Sequence, residues 1–168
     1  MQIDDAMAQM LDDSIVMTQS MGFSPFKAPF AERIAAWDAK LRLVSDTLEA
    51  WLQVQRGWMY LEPIFSSPDI TAQLPLEAKR FATVDRAWRK AADAAKREPA
   101  VLTAASSPRL LDTLVDCNRL LDSVQKGLAA YLEMKRAAFA RLFFLSNDEL
   151  LAVLSQVLKL VSVPSACL

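Results

Sequence analysis

Histidine is absent from the whole 168-residue chain. That gap excludes Ser-His-Asp and Cys-His nucleophilic sites, histidine-bearing zinc sites and the Glu-x-x-His ligands of di-iron bundles. Glycine occurs only as Gly22, Gly57 and Gly127, and neither Gly-x-x-x-x-Gly-Lys-Ser/Thr nor Gly-x-Gly-x-x-Gly can be found, so those two routes to nucleotide phosphates are closed. The same scarcity leaves few residues able to turn tight hairpins. The two cysteines, Cys117 and Cys167, lack the spacing of a disulfide framework and suit a reducing, cytoplasmic compartment.

A charge excess of either sign is also missing. Nineteen basic residues stand against twenty acidic ones, a net charge of −1, so the whole-molecule field steers the chain towards neither nucleic acid nor an anionic membrane. The N-terminus reads Met1-Gln2-Ile3-Asp4-Asp5, with acids where a secretory signal carries basic residues. The last stretch, Leu150 to Leu168, is more apolar, but Gln156, Lys159 and Pro164 interrupt it and make a membrane span costly. Cys167 is second from the end, not fourth, and so is no prenylation site. Neither nucleic acid nor membrane is expected as a partner.

What remains is a palette of Ala, Leu, Lys, Arg, Glu and Asp, all compatible with helix, and 53% hydrophobic residues, enough for one core. The fold class is therefore all-α. Ile3, Met7, Met10, Leu11, Ser14 and Met17 follow helical spacing until Gly22-Phe23-Ser24-Pro25 stops it. Ile34, Trp37, Leu41, Val44, Leu48 and Trp51 draw an apolar stripe along a long helix from about 29 to 60, which Pro63 is expected to break. Residues 61–75 read as a connector with at most a short helix. A third helix over about 76–98 presents Phe81, Val84, Trp88, Ala91 and Ala95. Pro108 opens a fourth, with Leu110, Leu114, Cys117, Leu121, Val124, Leu128 and Tyr131 in heptad-like register, as in a coiled coil. Ser146 and Glu149 form a capping box for a fifth helix through Leu150, Leu151, Val153 and Leu154. The pattern predicts an elongated antiparallel helical bundle or rod of about five helices, in which the second and fourth stripes can pair.

The pairs Asp4-Asp5 and Asp12-Asp13 lack the glycine-containing loop of a calcium site and read as solvated helix face. No catalytic, cofactor-binding or metal-binding residue is assigned. Lys79, Arg86, Lys90 and Arg97 are spaced seven, four and seven apart, on one helix face opposite Phe81, Val84 and Trp88. That stripe is either an ordinary solvated face or a surface that docks on an acidic protein; without aromatic or glycine-rich elements beside it, nucleic acid fits least. The aromatic run from Trp51 to Phe65, taken alone, is a core corner where a helix passes into a connector. Four tryptophans and eight phenylalanines exceed what so small a bundle can easily bury, and some of them are expected to face a neighbour.

Trp58-Met59-Tyr60-Leu61-Glu62-Pro63-Ile64-Phe65-Ser66-Ser67-Pro68-Asp69-Ile70 resembles the Trp-x-Tyr-Leu-Glu-x-Ile-Phe signature near the start of the linker region in dynein heavy chains. The likeness continues through Lys79-Arg80-Phe81, Val84-Asp85-x-x-Trp88, Gln125-Lys126-Gly127-Leu128, Tyr131-Leu132-Glu133, Lys135-Arg136 and Phe143-Phe144-Leu145-Ser146-Asn147-Asp148-Glu149. Glu62-Pro63-Ile64-Phe65-Ser66-Ser67 is closer to axonemal chains than to cytoplasmic ones, and leans to the inner-arm type. The resemblance departs from the family at Ala140, where proline commonly precedes the Arg-x-Phe-Phe run, and again after Gln156.

The resemblance implies a division into a first helix and connector over 1–24, a linker-like helical segment over 25–156 and a divergent tail over 157–168, as in a truncated product or an incomplete gene product. In that family the linker is a helical rod that crosses the ring of AAA modules and bends and straightens during ATP turnover. Trp51, Trp58, Tyr60, Leu61, Glu62, Pro63, Ile64, Phe65, Phe81 and Trp88 would then form a structural corner. The implied partners are the AAA ring of the parent heavy chain and other dynein subunits, in the axoneme of a cilium or flagellum, with the microtubule met only through parts not in this chain. ATP and its hydrolysis would belong to the parent motor, leaving this segment with no cofactor and no enzymatic activity. The alternative is a stand-alone helical interaction module docking through Lys79, Arg86, Lys90 and Arg97.

Overall fold

The computed structural model describes residues 5–161, and side chains over 6–154. Ile3, Asp4, Cys167 and the final part of the 157–168 tail lie outside the described residues. Among those described there are seven α-helices and no strand: α1 (Asp5–Gly22), α2 (Ala31–Phe65), α3 (Pro68–Gln73), α4 (Pro75–Arg97), α5 (Val101–Ala104), α6 (Pro108–Ala138) and α7 (Asn147–Val161). Short 3₁₀ turns occupy Ala28–Phe30 and Ala140–Phe144. The all-α class is as the composition required. The number of helices is larger than five because two short ones lie between the longer helices, α3 within the 61–75 connector that allowed for it and α5 between α4 and α6.

Helix ends follow local chemistry. Beyond α1, the Lys27 ammonium donates to the Gly22 carbonyl at 2.7 Å, satisfying one of the acceptors that a helix C-terminus leaves open. Pro75 and Pro108 start α4 and α6, where a missing N–H costs nothing. Lys96 and Arg97 close α4 with positive charge against its negative dipole end. The capping box of α7 forms as read: the Ser146 N–H and hydroxyl both donate to Glu149 Oε2 at 2.8 Å, and the Glu149 N–H returns a bond to Ser146 Oγ at 3.3 Å.

Pro63 does not break α2, which runs on to Phe65. A proline two residues before a helix end removes only its own bond to the carbonyl four residues back. Here Pro63 and Met59 are both exposed, so water can serve the orphaned carbonyl.

The chain divides into two compact units. The first takes the described residues through Gln53 together with Lys90–Val115, and the second takes Val54–Arg89 and the described residues from Asp116 onward. Leu41, Val44, Ala50, Trp51, Ala105 and Leu114 are buried in the first. Its two buried hydroxyls are satisfied within their own helices, Thr18 donating to the Ser14 carbonyl at 2.8 Å and Thr47 to that of Leu43 at 2.7 Å. The stripe of α2 is uncovered at its start: Ile34 is half-buried and Trp37 is 42% exposed. Met7, Met10 and Met17 of α1 also face outward, because Leu11, Ile15 and Thr18 occupy the covered side of that helix.

The second unit holds Val54 and Leu61 of α2, Ile70 of α3, Leu74 at the junction of α3 and α4, Phe81, Val84 and Trp88 of α4, the α6 stripe from Cys117 to Leu132, and Leu150 and Leu151 of α7. There α3 packs on α7. Mid-helix glycine normally costs about 1 kcal/mol relative to alanine, and both instances in the second unit have a reason. A Cβ on Gly57 would lie 3.1 Å from Leu121 Cδ1, and one on Gly127 would lie 2.6–2.9 Å from three side-chain atoms of Glu77. At these two places α2 and α4, respectively, pack closely against α6.

Candidate functional site

In the second unit Trp58, Leu61 and Phe65 of α2 recur at steps of three and four, and so do Phe81, Val84, Asp85 and Trp88 of α4. Each set therefore shares a helix face, and the two faces meet. Leu61 and Val84 are fully buried, and the Phe65 and Phe81 rings stack at 5.3 Å with an interplanar angle of 19°. Trp58 and Trp88 lie 6.4 Å apart in a tilted arrangement, a spacing favourable for aromatic pairs.

The polar handle of Trp58 is satisfied across the two helices. Its indole Nε1 donates to Asp85 Oδ1 at 2.9 Å. Arg89 holds the same carboxylate, its Nε donating to Oδ1 at 2.9 Å and to Oδ2 at 3.0 Å, while its guanidinium lies 5.6 Å from the centroid of the Trp58 ring. Asp85 thus accepts from an indole and a guanidinium, and the guanidinium also faces the indole's π-cloud. The fixed carboxylate orients the tryptophan in the corner.

Other members of the expected corner are placed differently. Trp51 is buried in the first unit, Pro63 is exposed, and Tyr60 is 41% exposed. Partial burial, and secondarily the Asp148 carboxylate, push the Tyr60 phenol above its ordinary pKa, so its hydroxyl stays neutral at physiological pH. Ile64 and Glu62 are half-buried, and Glu62 Oε1 accepts from the Ser66 hydroxyl at 3.3 Å.

Two interhelical ties extend the corner onto α6. Arg80 Nη1 donates to Ser123 Oγ at 2.9 Å. Arg136, whose side chain is only 12% exposed, donates through Nη1 to Glu133 Oε1 at 2.7 Å, and through Nη2 to Asn147 Oδ1 at 2.7 Å and the Leu145 carbonyl at 3.0 Å. One guanidinium therefore joins the end of α6 to the start of α7, across the segment containing Ala140. Arg80, Asp85 and Arg136 enter the sequence reading only as letters of the family resemblance, with no role given to them, and Arg89 not at all. The Asp85–Arg89 step of four is readable as an ion pair within one helix, but the Trp58 donor stands 27 residues away and gives no spacing signal.

Lys79, Arg86, Lys90 and Arg97 are each exposed on α4. Arg86 and Arg97 turn back to donate to the carbonyls of Ala82 and Asp93 in their own helix. No helix among the described residues is long and apolar enough to cross a membrane.

The arrangement is one of packing and orientation: buried aromatics, an indole held by a carboxylate, and guanidinium ties between helices. The family described as "Dynein heavy chain, N-terminal region 2" matches residues 1–166. The chain belongs to the dynein heavy chain family. Among its relatives, dynein axonemal heavy chain 1 of Mus musculus is 59% identical over 152 residues, covering 90% of this chain and 4% of that protein. Dynein axonemal heavy chain 12 of Homo sapiens is 49% identical over 152 residues, covering 90% of this chain and 5% of that protein. Dynein axonemal heavy chain 3 of Homo sapiens is 47% identical over 154 residues, covering 92% and 4%. The resemblance to axonemal dynein heavy chains, carried by the Trp58–Ile70 signature, is borne out. The chain spans about 4–5% of the length of these dynein heavy chains.

Proposed function

We propose that residues 25–156 form the N-terminal part of the linker of an axonemal dynein heavy chain, a mechanical lever in microtubule-based movement. The observation that carries this reading is the match to the heavy-chain N-terminal region over 1–166. A lever must transmit force without local yielding, and the Trp58–Asp85–Arg89 constellation supports that requirement by tying α2 to α4 with directional bonds as well as apolar area. The corner residues Trp58, Leu61, Phe65, Phe81 and Trp88 would serve stiffness, and Trp51 would serve it within its own unit.

On this reading the AAA ring of the parent heavy chain and other dynein subunits are the partners, and the axoneme is the location. ATP binding and hydrolysis reside in the ring, so the isolated segment turns over no ATP. A segment exchange tests the proposal: residues 25–156 replace the corresponding stretch of an axonemal heavy chain 1. Incorporation of the chimera into axonemes with ATP-dependent microtubule movement supports the lever reading; a chimera that incorporates and hydrolyses ATP but moves nothing contradicts it.

The exposure of Lys79, Arg86, Lys90 and Arg97 favours a second reading, a helical module that meets an acidic protein partner through α4. Reversing all four charges abolishes capture of such a partner while leaving the helical signal intact if that reading is correct.

A further inference from the structure

The first unit carries two surfaces of opposite charge that share one apolar seam. A groove of about 630 Å³ opens between the end of α1 and the start of α2, with Met21, Phe26, Phe30, Ile34 and Trp37 as its apolar walls and Lys27 and Arg33 as its only charged lining residues. Phe26 is 84% exposed there and Phe30 53%, far more than a solvated surface needs. Lys27 is held by the Gly22 carbonyl, and Arg33 forms no ion pair among the described residues.

The outer face of α1 has the opposite character. Within its described side chains α1 carries acids but no base, and Met10 and Met17 are both largely exposed. Asp13 follows Met10 by three residues and precedes Met17 by four, so helical geometry puts the carboxylate on the methionine stripe. Asp12 lies four before the exposed Val16. Neither Asp12 nor Asp13 forms an ion pair among the described residues, although Asp13 accepts from Gln9 at 3.1 Å. Met21, four residues beyond Met17, is part of both surfaces, which makes the stripe and the groove continuous.

We propose that this unit binds a second copy of the chain reciprocally, the acidic methionine face of α1 in each copy seating on the basic aromatic groove of the other. A two-fold axis requires a self-complementary patch, and a patch whose halves are acidic-aliphatic and basic-aromatic meets that condition twice in one dimer. Methionine adapts its shape to aromatic walls and gains favourable sulfur–ring contacts. The carboxylates Asp12 and Asp13 would then face Lys27 and Arg33 across the seam.

The test is sedimentation velocity of the full chain from about 1 to 100 μM, with far-UV circular dichroism to verify folding. The chain sediments as a concentration-dependent dimer, and Lys27→Glu/Arg33→Glu and Asp12→Lys/Asp13→Lys each weaken dimerisation more than about tenfold, since like charges then oppose each other across the interface. Mixing the two variants in equal amounts restores a dimer, because both reciprocal contacts become complementary again. A chain that remains monomeric throughout overturns the proposal. So does a dimer indifferent to both charge reversals, which would place its interface elsewhere, or a pair of folded variants that fail to rescue each other on mixing.

Discussion

The indole N–H of Trp58 and the carboxylate of Asp85, 27 residues apart, form a 2.9 Å hydrogen bond that joins α2 to α4. The same carboxylate binds Arg89, which fixes it in place as an acceptor. Because Arg89 is largely exposed, the ion pair itself adds little stability; its role is to position Asp85 for the indole.

Trp58→Phe keeps an aromatic ring and removes the donor, and is expected to cost about 1 to 2 kcal/mol. Trp58→Ala is expected to cost about 2 to 3 kcal/mol, less than a fully buried tryptophan, because the ring is only half-buried. Urea denaturation of a double-mutant cycle with Asp85→Ala should show a coupling of about 1 kcal/mol between Trp58→Phe and Asp85→Ala. Strict additivity would mean that the bond contributes nothing.

Gly127→Ala should destabilise by about 1 kcal/mol net, because overpacking outweighs the gain in helix propensity. The new Cβ would meet Glu77 Cγ at 2.7 Å, too near the root of the side chain to be relieved by moving its tip alone. Adding Glu77→Ala should remove the penalty. Gly22→Ala, with nothing within 4 Å of its Cβ position, should not lower the melting midpoint.

Arg136→Lys should behave much like Arg136→Ala, with a loss of about 2 kcal/mol, because an ammonium cannot span the Glu133, Leu145 and Asn147 acceptors as a guanidinium fork does. Hydrogen exchange should show the loss first at the amides of 145–150. Uniform protection across that stretch in Arg136→Lys would contradict the tie.

The Glu149 carboxylate titrates below its ordinary range, first because it accepts from the Ser146 backbone N–H and next from the Ser146 hydroxyl. A depressed folded-state pKa gives stability that is present above the unfolded value, about 4.3, and lost as pH falls through the folded one. Glu149→Gln should therefore flatten the decline of the melting midpoint on acidification below about pH 4.3. An identical decline in both proteins would show that the cap is not titrating.

Much of the helical architecture was legible because it rests on local spacing. The α6 stripe from Leu114 to Tyr131 and the Ser146–Glu149 box needed only residues within two turns of each other. Pro63 was misread because its effect depends on distance from a helix end that Phe65, not the proline, determines. For the candidate corner, the aromatic members stood out by type, but their division between two units and the Asp85, Arg89, Arg80 and Arg136 ties depend on which helices meet. Side-chain pairs across elements leave no period in the sequence. The surplus of aromatics did register correctly: Phe23, Phe26, Phe139, Phe143 and Phe144 are all exposed.

The lever reading is tested most directly by placing Trp58→Ala with Asp85→Ala in a full-length axonemal heavy chain and measuring microtubule gliding velocity beside ATP turnover. A stiff corner predicts gliding slowed severalfold while ATP turnover persists. Unchanged gliding by the doubly substituted motor would contradict a mechanical role for this corner.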